Sequence, residues 1–303
     1  MRDLLPNLRR DMAKATPLFL FLIALVVIFQ AGTLEAQERH ERPVMMDSNG
    51  SGSELYVLDA SSVVHEFRVT DDGLEERGRI SLSPEFIAAD MTYASSGGRD
   101  LLLIAGAQAG QGVVLMYSLD GKQLKSWSLQ NVCSGIDFGK ATHSAYVATS
   151  DSSEIYQLDA SGSESTYVTR IADATRLGPL AFDEARKEIY VADVARGRVY
   201  QYSITTKAAK VLAGELSAPT AVTFDPESRR LYIADPGRRA IFTVDTKSKN
   251  PSATPFASDS LKAPYGLALI SKSRIAVADY GDSSVLVFSS KGALLFRTLL
   301  KSP

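Results

Sequence analysis

Cysteine occurs once in these 303 residues, as Cys133, and histidine three times. A lone cysteine excludes an intramolecular disulfide, so stability must come from a core large enough to do without one. His40, His65 and His143 fall in an N-terminal linker, an outer-strand region and a turn. They are not placed to converge on a zinc ion, which needs three or four ligands. Cys133 lies near an apolar strand with no histidine beside it, which reads as a buried inert thiol rather than a nucleophile. Neither charge sign is in excess, with 33 basic against 35 acidic side chains and a net of −2. That balance gives no basic footprint for nucleic acid or an anionic membrane. Gly-x-Ser-x-Gly, His-Glu-x-x-His and phosphate-cradling Gly-Lys-Ser/Thr motifs are missing as well.

Long apolar runs are scarce, with one exception. Arg2, Arg9, Arg10 and Lys14 precede Leu18–Phe29, twelve residues without a polar side chain. Small and polar residues follow to Ala36, and then a charged stretch from Glu38 to Arg42. This is the layout of a secretory signal peptide, and the run is shorter than the roughly 20 residues of a transmembrane helix. Leu34 is a poor residue at the −3 position of a cleavage after Ala36, and the n-region is long. Residues 1–36 are therefore expected to be a signal peptide or an uncleaved signal anchor, and 37–42 a linker. Either alternative puts the rest of the chain outside the cytoplasm, in the periplasm, secreted, or membrane-anchored.

What the remaining chain has in quantity is self-similarity. A short apolar phrase recurs as Leu55–Asp59, Leu102–Gly106, Ala145–Thr149, Ile189–Asp193, Leu231–Asp235 and Ile275–Asp279. Around each copy stand four short runs rich in Val, Ile, Tyr and Phe, separated by Gly, Pro, Asp, Ser and Lys turns. Four strands per repeat of about 40–45 residues is the signature of a propeller blade. A lone four-stranded sheet cannot bury either apolar face, but sheets arranged radially cover one another. The sequence predicts an all-β fold, a six-bladed β-propeller over residues 43–300. Both terminal units look complete, which predicts that the ring closes by packing and not by strand exchange.

The pattern Pro-x-Gly-[apolar]-Ala followed by [Ile/Leu]-Tyr-[Val/Ile]-Ala-Asp resembles the NHL-repeat family of six-bladed propellers, related to YWTD-type and gluconolactonase-like propellers. The copies carrying it are Pro264–Ala268 with Ala276–Asp279, Thr220–Asp235, and Pro179–Asp193. Typical NHL copies carry Asn three residues after the Asp; this chain has Arg196, Arg238, Asp282 and Ser152 there. The resemblance speaks to fold, since function lives in sites grafted onto folds.

Gluconolactonase-like propellers hold a divalent cation at the channel top with Glu, Asn and Asp from the starts of innermost strands. Aligning the six units gives Arg42, Glu85, Ser134, Gly178, Thr220 and Tyr265 at that position. Glu85 is the one carboxylate, too few for an oxygen-ligand site. Three or more acidic or amide side chains in the tunnel would reverse that expectation. The repeated aspartates Asp59, Asp193, Asp235 and Asp279 are expected to fix their own turns by accepting backbone N–H groups. Two loops, Arg196–Arg198 and Pro236–Arg239, put Arg196, Arg198, Arg238 and Arg239 on the same face. The sequence therefore points to a binding or scaffolding propeller of the cell envelope, with a protein, peptide or glycan partner and no cofactor. Candidate contact residues are Glu85, Arg196, Arg198, Arg238, Arg239 and Tyr265. The alternative is a metal-dependent lactonase or esterase resembling gluconolactonase, with Glu85 as its retained ligand.

Overall fold

The computed structural model describes residues 41–300 apart from 163, 272 and 273. The export segment expected over 1–36 and most of the linker lie outside the described residues. Among those described, every regular element is a strand, and the strands form six four-stranded sheets. Blade 1 contains β1 (Pro43–Ser48), β2 (Glu54–Asp59), β3 (Val63–Val69) and β4 (Leu74–Ser81). Blade 2 contains β5 (Phe86–Ser96), β6 (Arg99–Gln108), β7 (Gln111–Ser118) and β8 (Gln123–Leu129). Blade 3 runs through β9 (Cys133–Gly139), β10 (Ser144–Thr149), β11 (Glu154–Asp159) and β12 (Ser165–Arg170). Blade 4 is β13 (Leu177–Asp183), β14 (Glu188–Asp193), β15 (Arg198–Ser203) and β16 (Ala208–Ala213). In blade 5 come β17 (Ala221–Asp225), β18 (Arg230–Asp235), β19 (Ala240–Asp245) and β20 (Thr254–Ala257). Blade 6 closes the chain with β21 (Pro264–Ser271), β22 (Arg274–Asp279), β23 (Ser284–Ser289) and β24 (Leu294–Leu299). The fold is the six-bladed propeller that the repeat predicts.

Strand periodicity explains why the blades need one another. Successive side chains point to opposite faces. In β2, Tyr56 and Leu58 pack into blade 2, whereas Leu55 and Val57 pack into blade 6. The same division repeats around the ring, so each of the six seams between neighbouring blades holds its own apolar cluster. Fully burying one such Val, Leu or Ile side chain contributes about 1.5–3 kcal/mol. Two buried tyrosines and one half-buried one keep their hydroxyls satisfied by a glutamate two residues back. Tyr56, Tyr156 and Tyr190 donate to Glu54, Glu154 and Glu188 at 3.2, 3.0 and 3.0 Å.

Every sheet uses four consecutive strands, and β1 lies against β21, so the ring closes by packing. The innermost strands approach closely enough to demand glycine at two contacts. A Cβ on Gly266 of β21 would stand 2.7 Å from the Val44 carbonyl oxygen of β1. One on Gly135 of β9 would stand 2.2 Å from the Gly178 oxygen of β13.

Candidate functional site

Each innermost strand starts, each second strand ends and each third strand begins on one face of the ring. All the sequence-predicted contact residues stand there. Arg196, Arg238 and Arg239 are exposed on the turns joining β14 to β15 and β18 to β19, and Arg198 is exposed at the first position of β15. Arg196 Nε donates to Thr175 Oγ1 at 2.7 Å, and the Arg238 guanidinium stands 5.8 Å from the Phe242 ring centroid. Tyr265, at the start of β21, is half-buried against Tyr280 with ring centroids 5.3 Å apart. Arg42 lies over the other ring of that pair, 4.9 Å from the Tyr280 centroid. The structure thus joins two channel-mouth positions, Arg42 and Tyr265, through Tyr280, whose part the sequence did not suggest.

Glu85 is exposed just before β5. Among the described residues, one group of three or more His, Cys, Asp or Glu side chains converges within 4.8 Å, namely Glu41, Asp59 and His65, so Glu85 joins no such group.

The repeated aspartates do what turn chemistry predicts. Asp193 accepts the amides of Thr175 and Arg176, Asp235 those of Ser217 and Ala218, and Asp279 those of Lys262 and Ala263. Each also takes an amide of its own turn, from Arg196, Arg238 or Gly281. The carboxylate pins the loop leading into its blade to the end of the second strand. Arg196 and Arg238, three residues after their aspartates, contribute backbone N–H groups here, while their side chains reach Thr175 and the Phe242 ring.

The channel itself differs from the expectation of one carboxylate. Four residues beyond the starts of β1, β5 and β9 stand Asp47, Asp90 and Asp137, roughly 13 Å along the strand. Strand register puts Asp47, Thr92 and Asp137 level with one another, opposite Tyr56, Leu103 and Tyr146. Ala181, Thr223 and Ala268 complete that level in blades 4 to 6. Alignment on strand starts looked one level too shallow, and so missed them.

These aspartates are blade couplers. Asp47 Oδ2 accepts Tyr93 N at 2.7 Å, Asp90 Oδ2 accepts Ile136 N at 3.0 Å, and Asp137 Oδ2 accepts Phe182 N at 2.7 Å. Their other oxygens accept the next amide of their own strand, from Ser48, Met91 and Phe138. Thr92 Oγ1 bridges Asp47 at 3.0 Å and Asp137 at 3.4 Å. The surface these carboxylates retain faces a cavity of about 40 Å³ lined by all six innermost strands. Desolvation pushes Asp90 up to about 8 and Asp137 up to about 7, with mutual repulsion adding to both. Burial also raises Asp47, opposed by its backbone hydrogen bonds and the Lys140 charge. The count of acidic groups in the tunnel is three, which meets the condition set for reversing the expectation of too few oxygen ligands, although each is also committed to backbone N–H donors. The cavity has space for a few waters, at roughly 10–15 Å³ apiece, and falls far below the roughly 300–1,000 Å³ of ligand pockets.

Cys133 is fully buried in the seam between blades 2 and 3, and burial pushes its thiol up to about 12. His143 is exposed in the turn between β9 and β10, with φ of 49°. His65 is fully buried among carboxylates.

No protein-family model and no curated protein matches this chain. Solved structures do resemble it. A chain from the nidogen/laminin complex aligns with TM-score 0.67 and 12% identity, over 79% of this chain and 90% of that one. Streptogramin B lyase aligns with TM-score 0.60 and 10% identity, over 87% and 85%. Virginiamycin B lyase from Staphylococcus aureus gives 0.58 and 10%, over 88% and 89%. At these identities the likeness establishes the propeller architecture alone.

Proposed function

We propose that this chain is an exported, NHL-like propeller that serves the cell envelope as a binding or scaffolding module. Its partner, a protein, peptide or glycan, sits on the loop face of blades 4, 5, 6 and 1. The observation that carries this reading is the coincidence of two exposed arginine turns with the Tyr265–Tyr280–Arg42 stack on one face. Arginine and tyrosine are the residues that anchor interfaces, through planar guanidinium contacts and large rigid rings. The matched chain of the nidogen/laminin complex, one component of a protein–protein assembly, is a precedent for such use of the fold. No cofactor is required for this role, and the chain's slightly acidic balance offers nucleic acid nothing.

The test compares partners recovered from the native envelope by the unaltered chain and by Arg198→Glu with Arg238→Glu. Lys207→Glu, on the turn between β15 and β16 at the opposite face, is the control. Loss of the same partners in the double variant alone supports the assignment; an unchanged set of partners removes it.

A second reading, a metal-dependent lactonase or esterase, draws on the three channel aspartates together with Glu85 at the mouth. Against it stand the small cavity and the backbone duties of each carboxylate. Lactone turnover with Ca²⁺, Mg²⁺, Mn²⁺ or Zn²⁺ that Glu85→Gln abolishes would favour it over the binding role.

A further inference from the structure

Blade 1 departs from its sisters at one buried position. Register puts His65 of β3 opposite Val57 of β2. The corresponding residues of blades 2 to 6 are Leu115, Tyr156, Tyr200, Phe242 and Leu286. Five blades fill this place with an apolar or aromatic side chain, and the first puts an imidazole there.

The neighbours of that imidazole differ to match. Its Nε2 faces Asp59 Oδ2 at 3.1 Å and Glu41 Oε2 at 3.4 Å, and its Nδ1 faces Glu76 Oε1 at 2.9 Å. Glu76 reaches this face because a bulge in β4 sets Glu76 opposite Phe67 while Arg79 stays opposite His65. Arg79 then binds Glu76 at 2.6 Å and Glu41 Oε1 at 2.8 Å. Asp59 Oδ1 accepts the amides of Ser61 and Val63, which fixes its other oxygen toward the ring. Glu41 Oε2 is buried and makes no hydrogen bond.

One proton on Nε2 satisfies Asp59 and leaves the Glu41 oxygen beyond hydrogen-bond range, a buried anionic acceptor without a donor. A cation at the centre of the three atoms would serve them all. Tetrahedral coordination at about 2.0–2.1 Å separates neighbouring ligand atoms by about 3.3 Å; the two separations from Nε2, 3.1 and 3.4 Å, bracket that value, and all three atoms lie within 4.8 Å of one another. Three carboxylates and one guanidinium leave the group at −2 with a neutral ring and −1 with an imidazolium, a negative balance either way, which a divalent ion in place of the ring proton offsets.

We propose that Glu41 Oε2, Asp59 Oδ2 and His65 Nε2 form a site for a divalent metal ion of the zinc class, with a fourth position open to water. Mixed imidazole and carboxylate donors suit Zn²⁺ better than Ca²⁺ or Mg²⁺, which take oxygen alone. The surroundings supply the outer shell such a site requires. Glu76 holds the Nδ1–H and so presents the Nε2 lone pair to the metal, while Arg79 holds Glu76. The ion would fasten Glu41, ahead of β1, to the second and third strands of blade 1. Its role is to secure the first blade rather than to turn over substrate.

The test uses the purified full chain stripped with chelator and titrated calorimetrically with Zn²⁺, with Co²⁺ as a spectroscopic probe of four-coordination. The site binds one ion per chain and raises the melting temperature. His65→Phe, the side chain of the corresponding place in blade 5, abolishes binding while the β-sheet circular dichroism persists. Glu76→Gln weakens binding about 10–100-fold, as outer-shell changes do, and Glu41→Gln at least as much. Glu75→Gln, an exposed carboxylate on the same strand, leaves affinity unchanged. Equal zinc binding by His65→Phe, or a melting temperature indifferent to zinc and chelator, overturns the proposal. Should His65→Phe fail to fold, the half-exposed Glu76→Gln decides, since a pure ion-pair cage predicts no zinc affinity to lose.

Discussion

Asp137 Oδ2 accepts the amide of Phe182 at 2.7 Å, 45 residues along the chain and in the next blade. Asp47 with Tyr93 and Asp90 with Ile136 repeat this link between earlier pairs of blades. Asp137→Ala leaves two amides, Phe138 and Phe182, without their acceptor. A buried donor left unmade costs about 1–3 kcal/mol, and channel water recovers part of that. Urea unfolding should show a loss of about 2–4 kcal/mol. A change below about 0.5 kcal/mol, within the usual range of surface substitutions, would show that these bonds do not couple the blades.

The same carboxylates make stability depend on pH in an unusual direction. Asp90 and Asp137 titrate near 8 and 7 when folded, against 3.8 as their ordinary value. Between those limits the folded state holds protons that the unfolded state has released, so stability falls as pH rises. The contribution is fully present below about pH 4 and is lost by about pH 8. Melting temperature should therefore be lower at pH 8 than at pH 5.5, and in Asp90→Ala the slope should flatten. A melting temperature that rises steadily across this interval would contradict the assignment.

Blades 4 and 5 are joined by charge. Arg229 Nη2 meets Asp183 Oδ2 at 2.5 Å, with both side chains buried and the guanidinium 4.6 Å from the Phe224 centroid. Removing one member strands the other, at about 3–5 kcal/mol. Arg229→Met should cost that much, and Arg229→Met with Asp183→Asn should recover part of it. Additive losses in denaturant unfolding would show that the two groups do not interact.

The blade count, the strand content and the apolar seams were legible in the sequence because period 2 and the repeat of the Leu55–Asp59 phrase are local signals. The turn-fixing duty of Asp193, Asp235 and Asp279 was legible for the same reason, since a carboxylate after a strand acts on nearby amides. Asp47, Asp90 and Asp137 were not, because their acceptors' partners lie in the next blade and their level depends on register. The register slips between Pro43 and Met45 of β1 and between Ala88 and Asp90 of β5, so counting from strand starts drifts. His65 was judged against other histidines, whereas its neighbours Glu41, Asp59 and Glu76 are carboxylates collected by a bulge that no sequence period announces.

Cys133 should behave as an inert probe of the seam between blades 2 and 3. Its side chain has no exposed surface and packs with Trp127, Leu129 and Ile136. Burial lifts the thiol to about 12, with a hydrogen bond to the Gly106 backbone only partly opposing it. Thiolate, the reactive form, is thus scarce at neutral pH, and the sulfur is out of reach of reagent. Labelling must wait for opening, whose free energy near a core strand approaches that of global unfolding. Ellman's reagent should leave the native chain unmodified over hours and titrate one thiol in denaturant. Because all six seams share the closure of one ring, labelling and unfolding should report the same free energy. Modification within minutes under native conditions would mean instead that this seam opens on its own, and that the ring is weakest where Cys133 sits.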